Sequence, residues 1–270
     1  MVTVLRPLST SELLDRTFHL YRNNFLLFVG IAAIPQLFVL ALQLVGAGLI
    51  FRGAFIGYGL MALLTALLSY IAIEISQAAT VMAVSNVHLD QPVTIASAFS
   101  QAKSSIGRVI GITFLVGLAV GVATIFFIIP GIYVAVMWSM AIPVTMLEGG
   151  GVSFSTKRSQ ELTKNNRGRI FVIYILVALL ALVVALVLQF VLRLVAVAVA
   201  HGNTSLFLTL TQALSAIGSF LSTSLVGSLA TIALTLIYYD LRVRKEGFDL
   251  QLMMSRLQPN SQAAAAATNP

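Results

Sequence analysis

The chain contains no cysteine, which excludes disulfides, cysteine-ligated zinc, iron–sulfur centres and thiol catalysis. Charge is almost as scarce, at 9% of 270 residues against roughly 25% in soluble domains. The histidines, His19, His88 and His201, are scattered, with neither an H-E-x-x-H spacing nor an acidic cluster to complete a metal site. No serine has a G-x-S-x-G setting and no loop has the glycines of a P-loop, so catalysis lacks a candidate constellation and no cofactor is implied. The opening MVTVLRPLSTSELLDRTFHLYRNN also lacks the apolar core of a signal peptide and is expected to be retained.

What is present is apolar: 59% hydrophobic residues and a mean hydropathy of +0.98. That composition points to an all-α integral membrane protein, and the length suits one bundle without a second soluble domain. Apolar runs near the roughly 20 residues that cross a bilayer predict six spans. They lie at about 25–51, 56–82, 108–129, 132–147, 170–192 and 213–239, the third and fourth parted only by the turn signal Pro130-Gly131. Lys and Arg then sort to one side: Arg6, Arg16 and Arg22; Lys103 and Arg108; Lys157, Arg158, Lys164, Arg167 and Arg169; Arg242, Arg244, Lys245 and Arg256. Only Arg52 and Arg193 fall on the other side. The net charge of +7 therefore reports orientation and attraction to anionic lipid, not nucleic acid. Both termini are expected in the cytoplasm, beneath a plasma or inner membrane. The membrane domain is expected over 1–250, with a tail at 251–270 that is disordered at its end.

RTFHLYRNN (16–24) recurs as RSQELTKNN (158–166), and VTIASAFSQ (93–101) aligns with VSFSTKRSQ (152–160). Each segment precedes an odd-numbered span. The pattern predicts three parallel repeats, about 9–88, 92–147 and 152–240, each an amphipathic cytoplasmic or interfacial helix followed by a two-span hairpin. In the first helix Ser9 and Glu12 form an S-x-x-E capping box. Leu13, Leu14, Phe18, Leu20, Tyr21 and Phe25 fill one side of its wheel, and the opposite side, with Arg16 and Arg22, could face headgroups. The matched Asn pairs are expected to end these helices and start the spans. A plain alternative is a set of solvated loop helices carrying the usual inside charges.

Glu74 is the clearest acid within a span, with Gln77, Thr80 and Ser85 near its face. It marks either an intramembrane polar site with Gln77, or a structural carboxylate that pairs with a base or hydrogen-bonds a neighbouring helix. Gly107, Gly111, Gly117 and Gly121 give two small-xxx-small spacings and are expected to let helices approach closely. Pro35 and Pro143 are expected to kink their spans. After the last span, Asp240 to Arg244 and Arg242 to Glu246 have i,i+4 spacing, and Gly247 can end the helix.

The stretch YYDLRVRKEGFDL resembles the signature closing the membrane domain associated with glycerophosphoryl diester phosphodiesterases, a family that also includes stand-alone multi-span bacterial and archaeal proteins. The opening LRPLSTSELLDRTFHLYRNNF and the centre IPGIYVAVMWSMAIPVTMLEGGGVSFSTKRSQEL are similar as well. The catalytic barrel of that family, with its His-Arg pair and metal-binding Glu-x-Asp, has no counterpart here, so the resemblance implies no enzyme. A non-enzymatic scaffold or accessory factor in envelope and lipid-related processes is expected. Its cytoplasmic surface of Arg16, Arg22, Lys157, Arg158, Lys164, Arg167, Arg169, Arg242, Arg244 and Lys245 would meet anionic lipid, and could dock a protein partner. The alternative is a transporter or channel for a small solute or lipid, using Glu74 and the repeat interface.

Overall fold

The computed structural model describes residues 8–51, 55–201 and 203–247. Arg6, Arg52, Arg256 and the tail expected at 251–270 lie outside them. The described residues form helices and no strands: α1 (Thr10–Asn23), α2 (Phe25–Phe51), α3 (Phe55–His88), α4 (Ile95–Ala102), α5 (Ile106–Phe126), α6 (Ile128–Met137), α7 (Ala141–Leu147), α8 (Val152–Thr163), α9 (Arg167–Ala200) and α10 (Thr204–Glu246). A 3-10 turn at Lys103–Ser105 joins α4 to α5. Six helical segments are long and apolar enough to cross a membrane: Phe25–Gly46, Gly59–His88, Ile95–Phe126, Ile128–Leu147, Arg167–Ala200 and Thr204–Glu246. The chain has the architecture of a multi-pass membrane protein.

Local chemistry sets several boundaries. The Ser9 hydroxyl accepts the Glu12 amide at 3.2 Å while the Glu12 carboxylate accepts the Ser9 amide at 2.7 Å, closing the capping box. Asn24 ends α1 by donating its side-chain amide to the Leu20 carbonyl at 3.1 Å, and α2 begins at the next residue. The second Asn pair does the same work differently: Asn165 turns through φ 68°, and Asn166 is the N-cap of α9.

The fourth span departs from expectation. The chain reverses at Phe127, which is extended, and not at Pro130-Gly131. Pro130 falls in the first turn of α6, where its missing N–H costs no helical bond. Gly131 packs on Thr124 across the α5–α6 hairpin, where a Cβ would collide. A turn at Trp138–Met140 then divides α6 from α7, so Pro143 opens a new helix and kinks nothing. Pro35 does lie inside α2. The four glycines of α5 are a further correction: a Cβ on Gly107, Gly111, Gly117 or Gly121 would meet nothing within 4 Å. Among the described residues helices approach closely at Gly30, against Ile95 of α4, at Gly131, and at Gly218, against Leu192 and Gln189 of α9.

α10 is the axis, packing against α1, α2, α3, α7, α8 and α9. Its 43 residues extend ~64 Å, about twice a hydrocarbon core. The part from Ser224 to Val243 is buried almost throughout, whereas Leu206, Leu208 and Leu221 are exposed. α1 lies antiparallel along the buried part, with its Leu13, Thr17 and Leu20 inward. Leu8 meets Asp240, and Tyr21 donates its hydroxyl to the Leu225 carbonyl. Leu13 and Leu20 of the apolar side of α1 therefore rest on protein, while Phe18 and Phe25 stay exposed. At the far half of the bundle, α5, α6 and α9 expose Phe114, Leu118, Ile125, Phe190 and Val197, the surface that acyl chains would cover.

Candidate functional site

The ends of α3, α7 and α10 and the starts of α1, α5 and α9 converge, and most of the predicted basic residues are gathered there. Asp240, 3% exposed, accepts the Leu8 amide at 2.7 Å, Arg169 at 2.6 Å and Arg244 at 2.9 Å. Both guanidiniums also donate to the Leu8 carbonyl. Beside this knot Arg158 bridges Glu148, at 2.9 Å, and Glu246. Tyr238 donates to Glu148 at 2.9 Å, and Arg242 pairs with Glu246 at 3.0 Å. Lys245 caps the end of α8 through the carbonyls of Glu161, at 2.7 Å, and Lys164, at 2.8 Å. Burial pulls the Arg158 pKa down, but its bonds and charges to Glu148 and Glu246 outweigh that and hold it above the ordinary value.

Arg158, Arg169, Arg242, Arg244 and Lys245 are thus joined in one clasp, which includes both i,i+4 pairs expected on α10. Arg167 stands apart, its guanidinium over the Tyr133 ring at 4.6 Å. Lys157 and Lys164 are exposed. Arg22 is exposed too, but α1 carries it toward Leu225, roughly 20 Å along α10 from Asp240. Arg16 lines a small cavity beside His88 and Tyr239. Sequence spacing gathered these cations on one side; it could not foresee that the clasp ties five of them to protein partners, with Arg158, Arg169 and Arg242 half-buried and Arg244 and Lys245 still exposed.

Glu74, 2% exposed, accepts a hydrogen bond from Thr113 of α5 at 2.8 Å, the neighbouring-helix partner that the structural alternative requires. Tyr70 adds a second tie between these helices, donating to the Ile110 carbonyl at 2.9 Å. Gln77 lies on the walls of two cavities. One, of about 250 Å³, is bordered by Thr113, Trp138 and Tyr174. The other, of about 60 Å³, lies between α2, α3 and α10. Ser85 contacts the Tyr239 hydroxyl at 2.7 Å, nearer the clasp.

Sequence reading missed a polar seam. Farther from the clasp, α2, α3 and α10 enclose a cavity of about 330 Å³ bordered by Gln43, Thr65, Ser69, Gln212, Ser215 and Ser219. Its signal was present in QALSAIGSFLSTSLVGSLAT, where hydroxyls and a carboxamide recur every three or four residues. No family model, curated protein or solved structure matches this chain.

Proposed function

We propose that the chain is a non-enzymatic accessory or scaffold protein of the cell membrane, serving envelope or lipid-related processes through a cytoplasmic end that attracts anionic lipid. The observation that carries this reading is the clasp with its exposed rim. Arg158, Arg169, Arg242 and Arg244 face the carboxylates of Glu148, Glu161, Asp240 and Glu246, and Lys245 donates to backbone carbonyls, so the cluster keeps a positive excess before the exposed Lys157 and Lys164 are added. Each basic group near an anionic surface contributes about 1 kcal/mol, screened beyond about a Debye length.

The three stretches behind the family resemblance meet at this clasp: Leu8 from the opening, Glu148 and Arg158 from the centre, Asp240 and Glu246 from the close. This supports reading them as one structural signature, and the chain as a stand-alone relative of that membrane domain without its chemistry. α1, α4 and α8 precede α2, α5 and α9 respectively, which supports three parallel repeats.

The test is native mass spectrometry of retained phosphatidylglycerol and cardiolipin against phosphatidylcholine. Arg22, Lys157 and Lys164, all changed to Gln, should lower anionic-lipid retention while leaving the clasp intact. Equal retention in a correctly inserted variant refutes the lipid surface. A second reading, a transporter or channel, is favoured by the 250 Å³ cavity beside Thr113 and Gln77. Loss of liposome flux in Glu74→Gln would select it.

A further inference from the structure

We propose that the seam between α2, α3 and α10 is a binding site for a small uncharged solute rich in hydroxyl or carboxamide groups, entered from the end of the bundle opposite the clasp. This goes beyond the lipid-surface reading and uses neither Glu74 nor the basic residues. The outer cavity, about 330 Å³, falls at the lower end of small-molecule sites and equals roughly ten water volumes. Its polar walls are two carboxamides, Gln43 and Gln212, and four hydroxyls, Thr65, Ser69, Ser215 and Ser219. All are both donors and acceptors, and among the described residues no charged one borders the cavity. Such walls complement neutral polyols and amides, and they offer a bare ion no counter-charge.

The seam continues inward. Beyond the outer cavity α10 borders the 60 Å³ cavity with Thr223, Ser228 and Thr231, beside Gln36 of α2, and Ser228 lies about half a turn round the helix from Ser219. Ser228 is 3% exposed, and its hydroxyl has no hydrogen-bond partner. Some helical hydroxyls in this chain bond the carbonyl four residues back, Ser76 to Ala72 and Thr235 to Thr231, whereas Thr211 and Ser224 of α10, like Ser228, have no partner. Ser228 instead borders the cavity with its donor unspent, which an occupant with an acceptor would satisfy.

Placement sets the entry. Gly46 and Met61 border the outer cavity and flank the α2–α3 connection, and Gln212 lies only two turns into α10, so the opening is near the end remote from Asp240. Leu206, Leu208 and Leu221 expose apolar side chains at the same level. Acyl chains suit those residues but cannot hydrogen-bond Gln212 or Ser219. The polar lining therefore suits water or a polar solute better than acyl chains.

Because the chain has no cysteine, single-cysteine variants report the seam directly. Full-length Ser219→Cys, Ser215→Cys and the lipid-facing Leu221→Cys are placed in phosphatidylcholine nanodiscs and treated with a charged, membrane-impermeant thiosulfonate, with and without xylitol or propionamide. The two serine positions should react about tenfold faster than Leu221→Cys, since thiolate forms in water and not in hydrocarbon. Xylitol or propionamide should slow that reaction, while sodium phosphate at equal concentration should not. Thr65→Val, at the buried wall of the outer cavity, added to Ser219→Cys, should weaken the protection about tenfold, the loss of one buried hydrogen bond. Reaction no faster than at Leu221→Cys overturns the proposal, because the groove is then dry or filled by lipid. Fast reaction that neither solute slows overturns it as well, since the groove is then only hydrated. Full protection retained in Thr65→Val overturns the proposal too, because the polar wall then plays no part in holding the solute.

Discussion

Asp240 accepts the Leu8 amide and two guanidiniums from inside the bundle, so one carboxylate joins the first, fifth and sixth membrane-directed segments. Asp240→Asn keeps the shape but leaves Arg169 and Arg244 beside each other without a counter-charge. The guanidiniums are 20% and 35% exposed, so solvent shares the loss and the low end of the range for a broken buried pair applies. We expect about 3 kcal/mol of destabilisation in SDS-induced unfolding. Arg22→Gln, on the exposed side of α1, should stay within about 0.5 kcal/mol. If Asp240→Asn behaves like Arg22→Gln, the clasp does not hold the fold. Glu74 is a contrasting case. Thr113, its partner, also reaches the Val109 carbonyl at 2.8 Å, so removing the carboxylate orphans no donor. Glu74→Leu should therefore match Glu74→Gln within about 1 kcal/mol in the same unfolding experiment. A larger loss in the Leu variant would give the carboxylate a structural role that Thr113 alone does not explain.

Within the elements, glycine meets two different environments. Gly131 faces Thr124 across a tight hairpin, and Gly131→Ala should cost about 1–3 kcal/mol by overpacking, visible as a lower detergent melting temperature. Gly111→Ala and Gly117→Ala face open space and should be neutral, or stabilising by up to about 1 kcal/mol through helix propensity. Destabilisation there would mean that a second copy or another protein packs on α5. The contrast also shows what a sequence can reveal. Six apolar runs were visible because each crossing needs some 20 apolar residues whatever it packs against. The Ser9 box and the Asn pairs were visible because capping is local. Whether a G-xxx-G row is used depends on which helix lies opposite, and that depends on tertiary packing. The reversal at Phe127 stayed hidden because Pro-Gly suits the first turn of a helix as well as a loop. The seam on α10 stayed hidden because hydroxyls spread along a 43-residue helix barely lower its average hydropathy. Only packing three helices together concentrates them.

At the scale of the whole molecule, the clasp makes orientation a single decision. Leu8 before α1 and Arg169 at the start of α9 bond Asp240, and Arg158 in α8 bonds Glu246, so all three segments are tied to the end of α10 and none can sit on the other side of a membrane alone. Asp90, in the α3–α4 connection, and Gln160, in α8, are exposed near that end, and Ser205 is exposed at the opposite one. The proposed function puts the clasp end in the cytoplasm, a reading supported by the tendency of short flanking loops rich in Lys and Arg to be retained there. Asp90→Cys and Gln160→Cys should then react with an impermeant maleimide only after cells are permeabilised. Ser205→Cys should react in intact cells. Because the three positions are tied to one rigid arrangement, the readouts are not independent. Labelling of 90 and 160 from outside, with 205 protected, would invert the protein and move the basic rim away from cytoplasmic lipid. Labelling of only one of 90 and 160 would contradict the clasp itself, because two segments bound to the same end cannot face different compartments.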